Sequence, residues 1–208
     1  MRFDRMLDIV GPFIVSNTRA RAARRREMFR VPAPEGRVVF LGDSITEGGL
    51  WDELFPDLST LNRGIGGDTT IDLLERIDDA INEPRVVSLL IGTNDLHGRR
   101  SHRGLDGIAM RCKELIDRIQ VRAASAPVLL NSVMPRATLY ATRVQALNNR
   151  YRQVAADTGA VFVDVWPVLA DSEDELRAEY TRDHIHLTTA GYHAWAEILK
   201  PHLDLAMT

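Results

Sequence analysis

Cysteine and lysine are both scarce in this sequence of 208 residues. The single cysteine, Cys112, excludes an internal disulfide, so a reducing compartment is at least as compatible with the chain as export. Cys112 lies in an apolar-periodic helical stretch, and we interpret it as a buried, inert thiol. Only two lysines, Lys113 and Lys200, accompany 24 arginines. We interpret that bias as typical of a GC-rich bacterial genome, and it excludes no function.

Long hydrophobic runs are also missing from the sequence. The apolar stretch at residues 9–15 is far too short to span a bilayer, which takes about 20 residues. The chain starts like a secretion signal, but Asp8 interrupts the apolar run and arginines follow it. We therefore expect no membrane span and a cytoplasmic protein.

Basic residues are concentrated at the N-terminus. Residues 1–30 carry eight arginines against three acidic residues, a net charge of +5, whereas the whole chain has a net charge of −3. The rest of the chain is therefore acidic. An acidic body argues against nucleic-acid binding as the main task, because neutralising phosphates requires a basic face.

The basic segment at residues 16–30 is predicted to be helical. We expect an amphipathic helix that packs Met28 and Phe29 against the body, and the alternative is contact with anionic lipid or with a partner's acidic face. The chain is accordingly divided into a helical lead-in at residues 1–35 and one domain at residues 36–208.

Apolar runs and helical patterns alternate along the domain. Strands are predicted at Arg37–Gly42, Ser59–Asn62, Val86–Gly92, Val128–Met134 and Ala160–Val165. Helices are predicted at Gly49–Phe55, Thr70–Asn82, Gly104–Ala124, Ala141–Thr158 and Thr189–Leu205. This alternation predicts an α/β fold, a flavodoxin-like three-layer α/β/α sandwich around a parallel five-stranded sheet. Ligands of such sheets bind beyond the carboxyl ends of the strands.

Polar residues follow the first three predicted strands. Ser44 comes directly after the first strand at a helix start, where it can be either a nucleophile or an ordinary helix cap. A glycine-rich bend at residues 62–69 lacks the last glycine of a dinucleotide fingerprint, since Thr69 stands there, and suits either an oxyanion hole or a tight turn. Asn94 can donate an amide N–H to the same cleft or stabilise a turn.

An acid and a histidine lie near the C-terminus. Asp183 and His186 are three residues apart, so one helical turn would place both on one face, as a pair that activates a serine. The chain order Ser, Asp, His also occurs in other α/β hydrolases. Zinc binding by Asp183, His184 and His186 is the alternative, but it needs a further ligand that the other histidines do not supply at a recognisable spacing. We therefore predict no metal.

Four blocks of the sequence resemble the SGNH hydrolases, also called the GDSL family. The matching segments are GDSIT at Gly42–Thr46, NRGIGGDTT at Asn62–Thr70, IGTND at Ile91–Asp95 and DHIHLT at Asp183–Thr188. They occur in the family's order and cover the body from about residue 36 to residue 203. The segments GIGGDTT, Met134–Arg136 and HLTTAGY are similar to the catalytic subunits of platelet-activating-factor acetylhydrolase. His184 departs from the pattern, since the family often has glycine there.

The resemblance implies roles for five residues. Ser44, Asp183 and His186 would form the catalytic triad. The oxyanion hole would consist of the backbone N–H groups of Ser44 and Gly67 and the side-chain amide of Asn94. Gly67 is preferred over its neighbouring glycine because it directly precedes Asp68 and Thr69.

The resemblance implies a serine esterase that acts on small-molecule, short-chain esters without a cofactor, and it suggests a homodimer. Two alternatives keep the same fold: a non-catalytic binding or regulatory subunit, and an acyltransferase using the same site. A third, a flavodoxin-like phosphoacceptor module, would make Asp43 the functional acid but leaves Asp183 and His186 unexplained.

Overall fold

Five parallel strands form the centre of the domain. The computed structural model describes residues 20–31, 33–97 and 104–208. The strands are β1 (Val38–Gly42), β2 (Thr60–Gly64), β3 (Val86–Leu90), β4 (Val128–Asn131) and β5 (Val161–Val163). They are ordered β2-β1-β3-β4-β5, and every neighbouring pair is parallel. The predicted flavodoxin-like sheet is confirmed.

Helices cover both faces of the sheet. They are α1 (residues 20–28), α2 (Ser44–Glu47), α3 (Trp51–Leu54), α4 (Thr70–Ala80), α5 (Leu105–Arg122), α6 (Ala141–Thr158), α7 (Trp166–Leu169) and α8 (Thr189–Ala206). One apolar core lies between the sheet and α4, α5 and α6, and a second lies between the sheet and α2, α3, α7 and α8. Side chains of β1 alternate between the two cores, as a strand buried on both faces requires. Within the described residues, no helix is long and apolar enough to cross a membrane.

The predicted ends of the elements are most accurate where a capping residue marks them. Helix α6 has the predicted bounds, because Gly159 ends it in the left-handed conformation with φ +73°. Strand β4 ends three residues before the predicted Met134. Val133 and Met134 remain buried after the chain has left the sheet, so their apolar character extends the pattern beyond the strand.

The basic helix α1 packs differently from the prediction. The expectation that Met28 contacts the body is wrong, because Met28 is 59% exposed. Ala22 is the buried residue of α1, and Phe29, just after the helix, lies under the guanidinium groups of Arg25 and Arg63. Arg21, Arg25 and Arg26 of α1 contact acidic residues of the same chain. The first nineteen residues of the predicted lead-in lie outside the described residues.

Cys112 is fully buried on α5, as expected of an inert thiol. Burial raises the pKa of the thiol to about 12, which outweighs the opposing effect of the Tyr151 hydroxyl. The thiolate, the reactive form, is therefore suppressed at neutral pH.

Gly42, at the junction of β1 and α2, has no room for a side chain. A Cβ atom there would lie 2.2 Å from the Leu90 carbonyl oxygen and 2.3 Å from Thr46 Oγ1. We expect Gly42→Ala to lower the free energy of unfolding by about 1–3 kcal/mol or more, because overpacking forces the backbone to move. Urea unfolding measures the loss. Gly107→Ala on α5 is the control, since its Cβ would have ordinary contacts and helical alanine is more stable than glycine. Equal unfolding midpoints for the two variants would contradict the prediction.

Candidate active site

The loops that follow β1, β2 and β3 meet at the carboxyl edge of the sheet. The strand order reverses between β1 and β3, and this switch point is where open parallel sheets bind their ligands. Ser44 follows β1, Gly67 follows β2 and Asn94 follows β3. The segment carrying Asp183 and His186 precedes α8 and reaches the same edge, since His186 contacts Ser44.

Ser44 is the first residue of α2 and is partly exposed. The preceding Asp43 caps the helix, because its carboxylate accepts a hydrogen bond from the Ile45 N–H at 2.9 Å. Asp43 itself is fully buried, and this burial raises its pKa to about 7 against the opposing hydrogen bond from Ile45. An inaccessible cap cannot receive a phosphoryl group. The phosphoacceptor alternative at Asp43 is therefore excluded.

Asp183, His186 and Ser44 form a continuous chain of hydrogen bonds. His186 Nε2 lies 3.0 Å from Ser44 Oγ, and His186 Nδ1 lies 2.7 Å from Asp183 Oδ2. The expected helical turn between Asp183 and His186 is wrong, since the segment is a series of bends. Asp183 Oδ1 instead accepts the backbone N–H groups of Ile185 and His186, which folds the segment back and aims Oδ2 at the imidazole.

The Asp183 carboxylate is held in its charged form. Partial burial raises its pKa, but the hydrogen bonds from His186 and from the backbone N–H groups lower the pKa by more, so the net shift is downward. A charged acceptor at Nδ1 keeps the proton of His186 on that nitrogen and leaves Nε2 free to accept a proton from Ser44. The side chains of Asp183 and His186 are about half exposed, so water reaches the pair.

The glycine-rich loop leaves one N–H group without a hydrogen-bond partner among the described residues. The Gly66 N–H is bonded to Glu47 Oε2 at 2.6 Å. Gly67 is exposed, adopts φ +83°, and its N–H has no hydrogen-bond partner among the described residues. These contacts support Gly67, and not Gly66, as the backbone donor that the sequence indicated. Ser44 offers a second N–H, because the first residue of a helix has no intrahelical acceptor.

The Asn94 side chain is held by one short and one long hydrogen bond. It begins a short 3₁₀ turn after β3 and is partly exposed. Its Nδ2 donates to the Asp68 carbonyl oxygen at 3.0 Å, with Asp43 Oδ2 farther away at 3.5 Å. An amide nitrogen carries two hydrogens. The bond to Asp68 fixes the group, and the second hydrogen is committed only to the long 3.5 Å bond to Asp43 Oδ2.

His184 has the backbone conformation that glycine adopts most easily. Its φ is +61°, in the left-handed region, and its side chain is exposed with Nδ1 3.3 Å from Glu175 Oε1. His186 instead pairs with Asp183, so the two histidines face different partners. In the described part of the chain, no three His, Cys, Asp or Glu side chains are grouped so as to hold a metal ion.

Two cavities border the histidine segment. One of about 700 Å³ is lined by residues 178–190 except 180, 184 and 185, and includes Asp183 and His186. The other, of about 350 Å³, lies between α2, α3 and the start of α8, and the two share Leu187 and Thr189. Polar and apolar side chains both occur among the described residues that line the two cavities, and Ser44, Gly67 and Asn94 are not among those residues.

Asn62, whose role sequence reasoning missed, holds two of these loops together. Asn62 Nδ2 donates to the carbonyl oxygens of Thr46, Glu47 and Gly49, and its Oδ1 accepts the Gly64 N–H. This side chain ties the loop after β2 to the loop after β1. Asn62 was visible as the first residue of the second motif. The three carbonyl oxygens that it binds are 13–16 residues away, and no local pattern predicts those contacts.

The chain matches the model of the GDSL-like Lipase/Acylhydrolase family over residues 40–194. Among curated proteins, it is 31% identical over 173 residues to the human platelet-activating factor acetylhydrolase IB subunit alpha1, covering 76% of this chain and 71% of that protein.

Solved structures agree with this match. A Streptococcus pneumoniae protein named as a platelet activating factor superposes with a TM-score of 0.80 at 26% identity, covering 96% of this chain and 99% of that one. The acetyl xylan esterase AlAXEase superposes with a TM-score of 0.67 at 25% identity, covering 80% of this chain and 98% of that one. The two similarities extend over most of each chain.

Proposed function

Because the chain belongs to the GDSL-like lipase and acylhydrolase family, a family of ester-cleaving enzymes, we propose that it hydrolyses short-chain, acetyl-type esters with Ser44 as nucleophile. The observation that carries this proposal is the hydrogen-bonded chain from Asp183 through His186 to Ser44, at 2.7 Å and 3.0 Å. The proposed oxyanion donors, Ser44, Gly67 and Asn94, follow β1, β2 and β3, whose carboxyl ends form the same edge of the sheet.

The first half of the reaction forms an acyl-enzyme. His186 Nε2 takes the proton of Ser44 Oγ as that oxygen bonds to the ester carbonyl carbon. The carbonyl oxygen becomes an oxyanion, and the donors of Ser44, Gly67 and Asn94 stabilise it more strongly than the neutral carbonyl. The carbon–oxygen bond to the alcohol then breaks, and the alcohol leaves with the proton from His186.

Water completes the second half. His186 removes a proton from water, which attacks the acyl carbon, and the proton returns to Ser44 as the acid is released. The half-exposed side chains of Asp183 and His186 favour hydrolysis over transfer to another alcohol, because water reaches the base directly. Exclusion of water would be needed for efficient transfer.

The acyl group is proposed to be short for two reasons. Among the described residues, the cavity lined by Asp183 and His186 has polar as well as apolar walls, which favours a small substrate. The names of the human relative and of AlAXEase both specify acetyl groups. The alcohol part of the substrate differs between these two proteins' names, and for this chain we propose only the acyl class.

The test combines turnover with covalent labelling. Purified protein is assayed on p-nitrophenyl acetate, butyrate and octanoate, and is treated with a fluorophosphonate before intact-mass and peptide mapping. We expect turnover of the two short esters, slower turnover of octanoate, and one adduct on the peptide that contains Ser44. Folded protein that is inert to the esters and to the probe would contradict the proposal and favour a non-catalytic binding subunit. Labelling at another residue would contradict the assignment of Ser44.

A further inference from the structure

Helix α1 lies upstream of the family match but contacts the loops of the candidate site. The match begins at residue 40, whereas α1 comprises residues 20–28. Arg21 Nε donates to Glu47 Oε1 at 2.6 Å, and Arg25 Nε donates to the Gly64 carbonyl oxygen at 2.9 Å. Arg26 donates to Asp68 Oδ1. Three arginines of one helix therefore bind the end of α2, the end of β2 and the loop that follows β2.

Asp68 connects α1 to two of the proposed oxyanion donors. It directly follows Gly67 in the chain, and its carbonyl oxygen holds the Asn94 side chain at 3.0 Å. Its carboxylate is fully buried and is bound at both oxygens, Oδ1 by Arg26 and Oδ2 by Arg76 at 2.7 Å. Movement of Asp68 would thus displace the Gly67 N–H and the Asn94 amide together.

The loop is also held on the other side of Gly67. Glu47 Oε2 accepts a hydrogen bond from the Gly66 N–H at 2.6 Å, and Glu47 Oε1 accepts one from Arg21 Nε. The Glu47 side chain is only 4% exposed, so this carboxylate is a fixed support. Both neighbours of Gly67 are consequently anchored through carboxylates to arginines of α1.

From these contacts we propose that Arg26 is a positioning residue, which sets the oxyanion donors Gly67 and Asn94 by fixing Asp68; the inference rests on the function proposed above. Arg76 also binds Asp68, but its effect on the donors cannot be separated from its effect on stability. It is buried and donates to the Gly42 carbonyl oxygen at 3.0 Å, so its loss would disturb the core. Arg26 is 44% exposed, and its removal leaves Asp68 with one free oxygen in place of two bound ones.

Steady-state kinetics on p-nitrophenyl acetate test the proposal. We expect Arg26→Ala to lower kcat about 10- to 100-fold with little change in KM, because a displaced donor costs transition-state stabilisation and not substrate binding. Arg26→Lys should recover part of the loss, since lysine keeps the charge but not the shape of guanidinium. The matched control is Arg24→Ala, because Arg24 is an exposed arginine of the same helix without a hydrogen bond or ion pair among the described residues.

A double-mutant cycle distinguishes positioning from general stability. If Arg26 acts through the oxyanion donors, Arg26→Ala should cost several-fold less in an Asn94→Ala background than in the wild type, because one affected donor is already gone. A purely structural effect would lower kcat by the same factor in both backgrounds, together with the thermal midpoint. Equal factors would overturn the proposal.

The failure of this inference differs from the failure of the proposed function. Wild-type kcat in Arg26→Ala, in a protein that loses activity on Ser44→Ala, would overturn the role of Arg26 and leave the esterase intact. If the wild type is inert, NMR still tests whether Arg26 positions the donors. The resonances of the Gly67 backbone amide and the Asn94 side-chain amide should shift in Arg26→Ala and not in Arg24→Ala. Unshifted resonances in Arg26→Ala would overturn the proposal whatever the activity.

Discussion

Ser44→Ala is expected to lower kcat for short esters by about 10³-fold or more and to abolish the fluorophosphonate adduct. The physical reason is that Ser44 Oγ is the atom within reach of His186 Nε2, at 3.0 Å, and alanine offers nothing to form the acyl-enzyme. Residual activity would come from the oxyanion donors acting on water, which remain in place. The measurement is kcat with p-nitrophenyl acetate, alongside the intact mass after labelling.

The fold should survive the change from serine to alanine. Ser44 is the first residue of α2, where Asp43 supplies the cap, and alanine is a good helix former. Ser125→Ala, at an exposed position beyond α5, is the matched control and should keep full activity and labelling. Retention of more than about a tenth of the activity in Ser44→Ala would mean that the nucleophile lies elsewhere, since a triad serine contributes far more than that.

The sheet could be predicted from the sequence because its strands carry the simplest signal. Strands β1 and β3 are buried at every position, and such apolar runs separated by helical periods indicate parallel strands covered on both faces. The sequence places a helix start at Ser44 but does not give the extent of α2, and it does not predict α7, since four residues are too few for a period. The strand order adds what the pattern lacked, namely that β1 and β3 are neighbours and place Ser44 and Asn94 side by side.

In the candidate site, local contacts could be predicted from the sequence and distant ones could not. Motifs with a fixed spacing, such as Asp183 to His186, point to residues that the structure brings together, although the turn that joins them is not helical. The contact between Arg26 and Asp68 spans 42 residues and joins two segments that share no pattern. Long-range ion pairs are set by how the helices pack on the sheet, and neither composition nor periodicity contains that information.

Asn94→Ala should lower kcat about 10²- to 10³-fold, the usual cost of removing one oxyanion donor. The Asn94 amide is fixed by the Asp68 carbonyl oxygen at 3.0 Å, so its orientation is set before the substrate arrives, and its other N–H has only the weak bond to Asp43 Oδ2 at 3.5 Å to give up. A pre-oriented donor stabilises the oxyanion at little reorganisation cost, and it binds the neutral carbonyl only weakly. KM should therefore change much less than kcat.

The same variant separates the oxyanion role of Asn94 from a role in folding. Asn94 is partly exposed at the start of a short turn, so alanine should leave the thermal midpoint nearly unchanged. Asn149→Ala, at an exposed position on α6, is the matched control and should behave like the wild type. Near-normal kcat in Asn94→Ala would show that the donors of Ser44 and Gly67 suffice, and the oxyanion hole would then have two members instead of three. A large loss with normal stability and an intact Ser44 adduct would place the defect in stabilisation of the oxyanion, because the nucleophile and its base would still be assembled.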